Sequence, residues 1–177
     1  MPRHEIRVFG DPVLKTEATE VTDIDGALVR LVDEMFDVMY AAPGLGLAAP
    51  QIGIRKQLFV YDLDDGTGRH TLVNPVIKES RGEWVYDEGC LSIPGLYIEI
   101  VRPKEVLLSG VDLDGNEVEI EADELLARLF QHELDHLHGV LMFDRMTPEQ
   151  RREALAEWRR LQAEPQPAPK KRRIRLT

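Results

Sequence analysis

Gln131-His132-Glu133-Leu134-Asp135-His136 is the stretch from which the rest of the chain can be read. It is an H-E-x-x-H string. On a helix, residues four apart lie one above the other, so His132 and His136 can aim two imidazole nitrogens at one metal ion. Glu133, between them, is close enough to take a proton from a water held there. A helix is credible, because residues 123–138 contain neither Pro nor Gly and Leu125, Leu126, Ala127 and Leu129 favour one. Gly139 follows as a C-terminal stop. Leu125, Leu129, His132 and His136 share one stripe, apolar at its start and imidazole at its end, which predicts half-buried histidines facing the interior. A chance pair of helical histidines is the bland alternative, and the intervening Glu133 weighs against it.

The chain is 177 residues long, 43% hydrophobic and 31% charged, which fits one globular domain of ordinary composition. No run of eighteen apolar residues is present, so no membrane span is expected. The N-terminus has no apolar signal segment, which predicts a cytoplasmic protein. Cys90 is the single cysteine, which excludes an internal disulfide and fits a reducing compartment. Net charge is -10, but residues 165–177 carry five basic residues and no acid, leaving 17 basic against 32 acidic residues in 1–164. Such a body is a poor nucleic-acid binder; only the tail could be one.

Leu28, Leu31, Val32, Met35, Phe36 and Met39 recur at helical spacing and predict a core-facing helix over about 24–41, with Thr22 and Asp25 as a capping-box-like start. The lead-in over 1–22 reads as irregular. Gly44-Leu45-Gly46 precedes Ala48-Ala49-Pro50-Gln51; it is neither a dinucleotide fingerprint nor a phosphate loop, and alone it could be a plain turn. Strands are predicted over 57–63, over 70–73 (closed by Asn74-Pro75), around Trp84–Tyr86, over 96–101 and 105–113, and over 116–121 after an Asp114-Gly115 turn. Residues 87–95 read as a break in regular structure. Thr147-Pro148-Glu149-Gln150 is a clean helix start, and that helix should run to about Ala163. The order predicts an α+β fold: antiparallel strands packed around a central metal-binding helix, with an N-terminal and a C-terminal helix. Residues 1–164 would form the catalytic domain, and the Pro-rich basic tail, 165–177, would be disordered.

Two histidines leave a zinc-like site short of a protein ligand. Met142 stands where an extended H-E-x-x-H-x-x-G-x-x-H string would place a third histidine. Glu153 and Glu157 lie on a charge-rich helix face that reads as solvated. Cys90 remains, and a thiolate binds zinc, iron or cobalt.

Gly44-Leu45-Gly46-Leu47-Ala48-Ala49-Pro50-Gln51, Glu88-Gly89-Cys90-Leu91-Ser92 and Gln131–His136 resemble, in order and spacing, the three signature motifs of the peptide deformylase family, and the resemblance spans about 5–160. It implies hydrolytic removal of formyl from the N-terminal N-formylmethionine of newly made polypeptides, releasing formate. It further implies that Cys90, His132 and His136 bind one divalent metal ion, Fe²⁺ in the cell with Zn²⁺, Ni²⁺ or Co²⁺ as substitutes, that Glu133 is the acid/base, and that Gln51 and the Leu91 N–H hold the reacting oxygen. Gly44, Leu45, Gly46 and Gly89 would receive the peptide backbone, and Leu125 and Leu129 would line the methionine slot. The aliphatic stem of Arg128 could line it too, or its charge could face solvent. Glu88 is favoured over Asp135 as the acceptor behind a metal-bound imidazole. Gln131 is ambiguous, His138 reads as a surface residue, and His4 and His70 suggest no function. The C-terminal helix and Lys170–Arg175 could contact the ribosome.

Two other readings leave more unexplained. A cysteine hydrolase with Cys90 as nucleophile and His132 as base does not account for Glu133 and His136; activity surviving metal removal would favour it. A structural zinc module would prefer four protein ligands, and three are in view.

Overall fold

The structure is a computed structural model and describes residues 2–164. The basic tail predicted as disordered lies outside the described residues. The first helix, α1, spans Gly26–Ala41. Asp25 itself is its N-cap: its carboxylate accepts from the Leu28 N–H at 2.9 Å. Thr22 is not part of the cap, a correction to the capping-box expectation, because a lone Asp at the N-cap position already satisfies the orphan donor. Leu28, Val32, Met35, Phe36 and Met39 are buried and pack with Leu47, Leu58 and Val60. They thus close one face of the sheet.

Five strands form one antiparallel sheet: β1 (Gly46–Ala48), β2 (Leu58–Tyr61), β3 (His70–Arg81), β6 (Glu105–Val111) and β7 (Glu117–Asp123), in the spatial order β1-β2-β3-β6-β7. β4 (Trp84–Cys90) and β5 (Ile93–Arg102) form a separate two-stranded ribbon. Three strand expectations are corrected. Asn74-Pro75 does not end β3; it makes a bulge, with Asn74 at a φ of 48° and a register shift between Val73 and Val76. The Asn74 amide clamps the Val21 backbone, accepting from its N–H and donating to its C=O, both at 2.9 Å. Residues 87–95 are mostly strand, and the break shrinks to Leu91-Ser92. Gly46–Ala48 is an edge strand, followed by a 3₁₀ turn at Ala49–Ile52. The lead-in also contains a 3₁₀ turn, Pro12–Lys15.

Helix α2 (Glu124–Leu137) carries the H-E-x-x-H string. Ala127, Phe130 and Leu137 bury against Phe59, Leu72 and Leu108 of the sheet, which fixes the rotation of the helix about its axis. The opposite stripe therefore faces the ribbon. Helix α3 (Pro148–Ala163) starts as expected: Gln150 N–H donates to Thr147 Oγ1 at 3.2 Å, and Thr147 N–H donates to the Gln150 amide oxygen at 3.1 Å. Its Ala154 and Trp158 join Ile93, Leu96 and Ile100 of the ribbon with Met142 and Phe143. The fold is α+β, antiparallel strands around a central helix, with α1 before and α3 after them among the described residues. Among the described residues no helix is long and apolar enough to cross a membrane.

Gly139 ends α2 at a φ of +68°, and a Cβ there would stand 2.7 Å from the Lys15 carbonyl carbon and oxygen. The backbone of the lead-in is thus pressed against the helix end, where Ala18 N–H also donates to Leu137 C=O at 2.8 Å. Gly139→Ala should destabilise the protein by about 2 kcal/mol or more, combining left-handed strain with a backbone clash. Thermal unfolding should show a fall in Tm of roughly 5 °C.

Candidate metal centre

His132 and His136 project from α2 toward the end of β4, where Cys90 precedes the two-residue turn. The three ligand atoms lie within 4.8 Å of one another. Cys90 Sγ is 3.3 Å from His136 Nε2, which is 3.2 Å from His132 Nε2. These lone-pair-bearing atoms, gathered in a buried place, suit a single cation better than one another. Two facing ring nitrogens cannot both be protonated there, and a thiolate and two imidazoles are a donor set for zinc, iron or cobalt. The residues present therefore fit a divalent metal.

The orientation of each ring follows from its neighbours. His132 Nδ1 meets Glu88 Oε1 at 2.6 Å, which leaves Nε2 facing the cluster. Glu88 is 3% exposed. Burial alone would raise its pKa, but hydrogen bonds and charge from His132 and Arg102 outweigh that and hold the carboxyl well below the usual range. Arg102 forks onto it, with Nη2 on Oε1 at 2.7 Å and Nε on Oε2 at 2.9 Å. Arg128 Nη1 adds a further bond to Oε2 at 3.0 Å. Among the described residues the Asp135 carboxylate makes no hydrogen bond to a histidine ring; it pairs with Arg102 Nη1 at 2.7 Å and with Arg145.

Glu133 is in the opposite situation. It is buried, and its Oε2 has no hydrogen-bond partner among the described residues. Burial is the main cause that pushes its carboxyl up, to about 7, against a lowering effect of His132 and with a raising effect of Glu88. A carboxyl poised near neutrality can both take and return a proton. Gly46 is what lets it sit there: a Cβ at Gly46 would be 2.7 Å from Glu133 Oε1. Gln51 is fixed from both ends. Its Oε1 accepts from the Ala48 N–H at 2.9 Å, and its Nε2 donates to Ser92 Oγ at 3.1 Å while lying 3.8 Å from Cys90 Sγ.

A cleft of about 530 Å³ opens over these groups. Gly44, Leu45, Gly46, Gln51, Glu88, Gly89, Cys90, Leu91, Leu125, Leu129, His132 and Glu133 all line it. His136 lies deeper, 1% exposed. Arg128 lines the cleft as well, yet it is 3% exposed, so its charge does not face solvent; it donates to Glu88 and to the Trp84 C=O. Gln131 donates to Pro103 and Ala127 carbonyls and stays out of the cleft. His138 is exposed beside Glu17, Glu153 is exposed, and His4 and His70 hydrogen-bond to Glu34 and Thr67 away from the cluster. Sequence reading missed Arg102, Ser92, Tyr86 and Tyr97. Arg102 had a faint signal, since alternation puts it on the same face of β5 as Ile98 and Ile100, an odd place for a cation.

The chain matches the family described as polypeptide deformylase over residues 3–152. The chain belongs to the peptide deformylase family. It is 49% identical over 158 residues to the peptide deformylase of Acidothermus cellulolyticus, covering 86% of this chain and 87% of that one. It is 45% identical over 146 residues to that of Halothermothrix orenii, covering 82% and 95%. Among solved structures, a peptide deformylase from Legionella pneumophila superposes with a TM-score of 0.83 at 41% identity, covering 92% of this chain and 99% of that one. A peptide deformylase from Synechococcus elongatus in complex with actinonin gives 0.84 at 43%, covering 89% and 88%. As a deformylase the chain is a metal-dependent hydrolase that removes the formyl group from N-terminal N-formylmethionine of newly synthesised polypeptides and releases formate.

Cys90→Ala should leave the fold intact, because the side chain is small and only part-buried, while the bound metal falls well below one ion per chain. Elemental analysis after gel filtration, with circular dichroism as the folding control, measures both.

Proposed function

We propose that deformylation in this chain is carried out by Cys90, His132 and His136 as metal ligands, Glu133 as acid/base, and Gln51 with the Leu91 N–H as donors to the reacting oxygen. The observation that carries this reading is the convergence of Sγ and two imidazole nitrogens, with a buried carboxylate oxygen on the same helix that has no hydrogen-bond partner among the described residues. A divalent ion held by these three residues would supply Lewis acidity, making water more acidic and the formyl carbonyl more electrophilic. Glu133 accepts the proton of the attacking water. As the oxygen bonds to the formyl carbon, negative charge builds on the carbonyl oxygen, and the Gln51 amide and Leu91 N–H donate to it. Preorganised donors of this kind are worth on the order of 3 kcal/mol each. The carbon–nitrogen bond then breaks, Glu133 hands its proton to the departing amine, and formate and a free N-terminus remain.

The substrate backbone pairs with the free edge of β1, beside Gly44, Leu45 and Gly46, and passes Gly89 across the cleft. Main-chain pairing ignores side chains, which suits a peptide that varies after its first residue. The methionine side chain enters between Leu125 and Leu129, walled by Tyr86 and by the stem of Arg128. Residues 1–164 act as one catalytic unit. Fe²⁺ is the ion in the cell, with Zn²⁺, Ni²⁺ or Co²⁺ as substitutes. Raw affinity favours zinc over ferrous iron, so the iron reading comes from the family resemblance, and metal analysis after anaerobic purification tests it. The chain works in the cytoplasm, where α3 and the basic tail hold it to the ribosome; acidic residues 1–164 against a cationic end support that reading.

Glu133→Gln keeps shape and removes the base. With formyl-Met peptides kcat should fall by on the order of 10³-fold with metal content unchanged; activity within a few-fold of wild type would sink the assignment. Deleting residues 165–177 should weaken co-sedimentation with ribosomes at low salt and leave activity on free peptides intact.

A further inference from the structure

The ribbon that delivers Cys90 shares no strand pairing with the five-stranded sheet. Its apolar residues Ile93, Leu96 and Ile100 pack with Met142, Phe143 and Trp158, a cluster that includes no residue of the helix carrying both histidines. The distance between sulfur and ring nitrogens therefore depends on what ties β4 to α2. Those ties are polar, and Arg102 joins both sides. It is 5% exposed. Its Nε and Nη2 grip Glu88, two residues before Cys90 on β4, and its Nη1 reaches Asp135, the residue before His136, at 2.7 Å.

We propose that Arg102 is a positioning residue for the metal centre, clamping the strand of Cys90 onto the helix of His132 and His136 through one fork and one bridge. The inference rests on the ligand reading given above. The guanidinium is suited to the task because its five donors are fixed in one plane, so gripping one carboxylate sets the direction in which the other must lie. A lysine could neutralise one carboxylate but not hold both in a fixed relation. The same carboxylate that Arg102 grips also receives His132 Nδ1 at 2.6 Å, so the clamp sets ring orientation as well as strand position. Arg145 also forks onto Asp135, from a chain segment that bears none of the three ligands, and its side chain is half exposed.

The test uses the full-length protein loaded with Co²⁺. Two readouts are taken: the thiolate-to-cobalt charge-transfer absorption, and the rate at which Co²⁺ is lost to a chelator. Wild type should show the band; its absence would overturn the ligand reading and this inference with it. Arg102→Lys should lose Co²⁺ on the order of tenfold faster, with a weakened or shifted band and a kcat reduced more than KM is raised. A band and loss rate within twofold of wild type would overturn the inference even if Tm falls. Should Arg102→Lys fail to fold, Asp135→Asn loosens the helix arm together with the Arg145 pair, whose own share the Arg145→Leu variant reads, and should accelerate loss in the same direction; a wild-type rate would again overturn it. Arg145→Leu should keep metal loss within twofold of wild type. If it speeds loss as much as Arg102→Lys, the effect is general loosening and the positioning role is refuted.

Discussion

The Glu88 carboxylate holds the centre together. Its oxygens accept from Arg102 twice, from Arg128 and from His132, so its acceptor capacity is essentially filled inside the protein. Burying a carboxylate is costly unless it is paired and fully hydrogen-bonded, and here it is both. The consequence is directional. A saturated anion with several fixed donors has one place to sit, and everything that donates to it is located by it. Removing one partner of such a cluster typically costs 3–5 kcal/mol, because a charge is left uncompensated. The cluster is therefore better understood as a device for geometry than as a source of net stability.

Helix α2 gives this geometry its reach. One face is committed to the sheet through Ala127, Phe130 and Leu137, all 0% exposed, which forbids rotation. The other presents Leu125, Arg128, Leu129 and His132 to the cleft in that order. Hydrophobic packing on one side thus decides where imidazole nitrogens point on the other. Sulfur arrives by a different route, on a ribbon whose own core is shared with α3, and the buried arginines Arg102 and Arg128 join the two routes. Distance in sequence between ligands is bridged by two independent cores and one polar seam.

Much of this was legible in the sequence. Periodicity exposed α1, α2 and α3, because an amphipathic helix repeats its signal over several turns. Gly139 and the Thr147 cap marked ends through local chemistry that tertiary contacts do not override. What failed was the extent of strands. Asn74-Pro75 looked like a stop because Pro cannot donate to a ladder, yet a bulge absorbs it and β3 continues. Residues 87–90 looked irregular because Asp87, Glu88 and Gly89 are poor strand formers, yet pairing with β5 and burial of Glu88 override propensity. Of the candidate centre, the residues named from a spacing or a motif are brought together by the structure. Arg102 was not named, and Ser92, though inside a quoted motif, was given no role, since their partners Glu88, Asp135 and Gln51 come near only in the fold.

Glu88 and Glu133 show how one small volume supports two roles for the same side chain. Both are buried, 3% and 5% exposed, and both lie within contact of the histidine pair or its helix. One is saturated with donors and held ionised far below neutrality; the other keeps an oxygen free and is pushed to about 7. Burial acts upward on both, so desolvation cannot be what separates them. The difference is the number of cationic and N–H donors each can reach. That number is set by side-chain direction: residue 88 lies between two arginines, and residue 133 faces Gly46, where the missing Cβ leaves room but offers no charge. An orienting carboxylate must not change its proton, and a proton carrier must. On the proposed roles the fold meets both demands by giving Glu88 two arginine partners and leaving Glu133 Oε2 with no hydrogen-bond partner among the described residues.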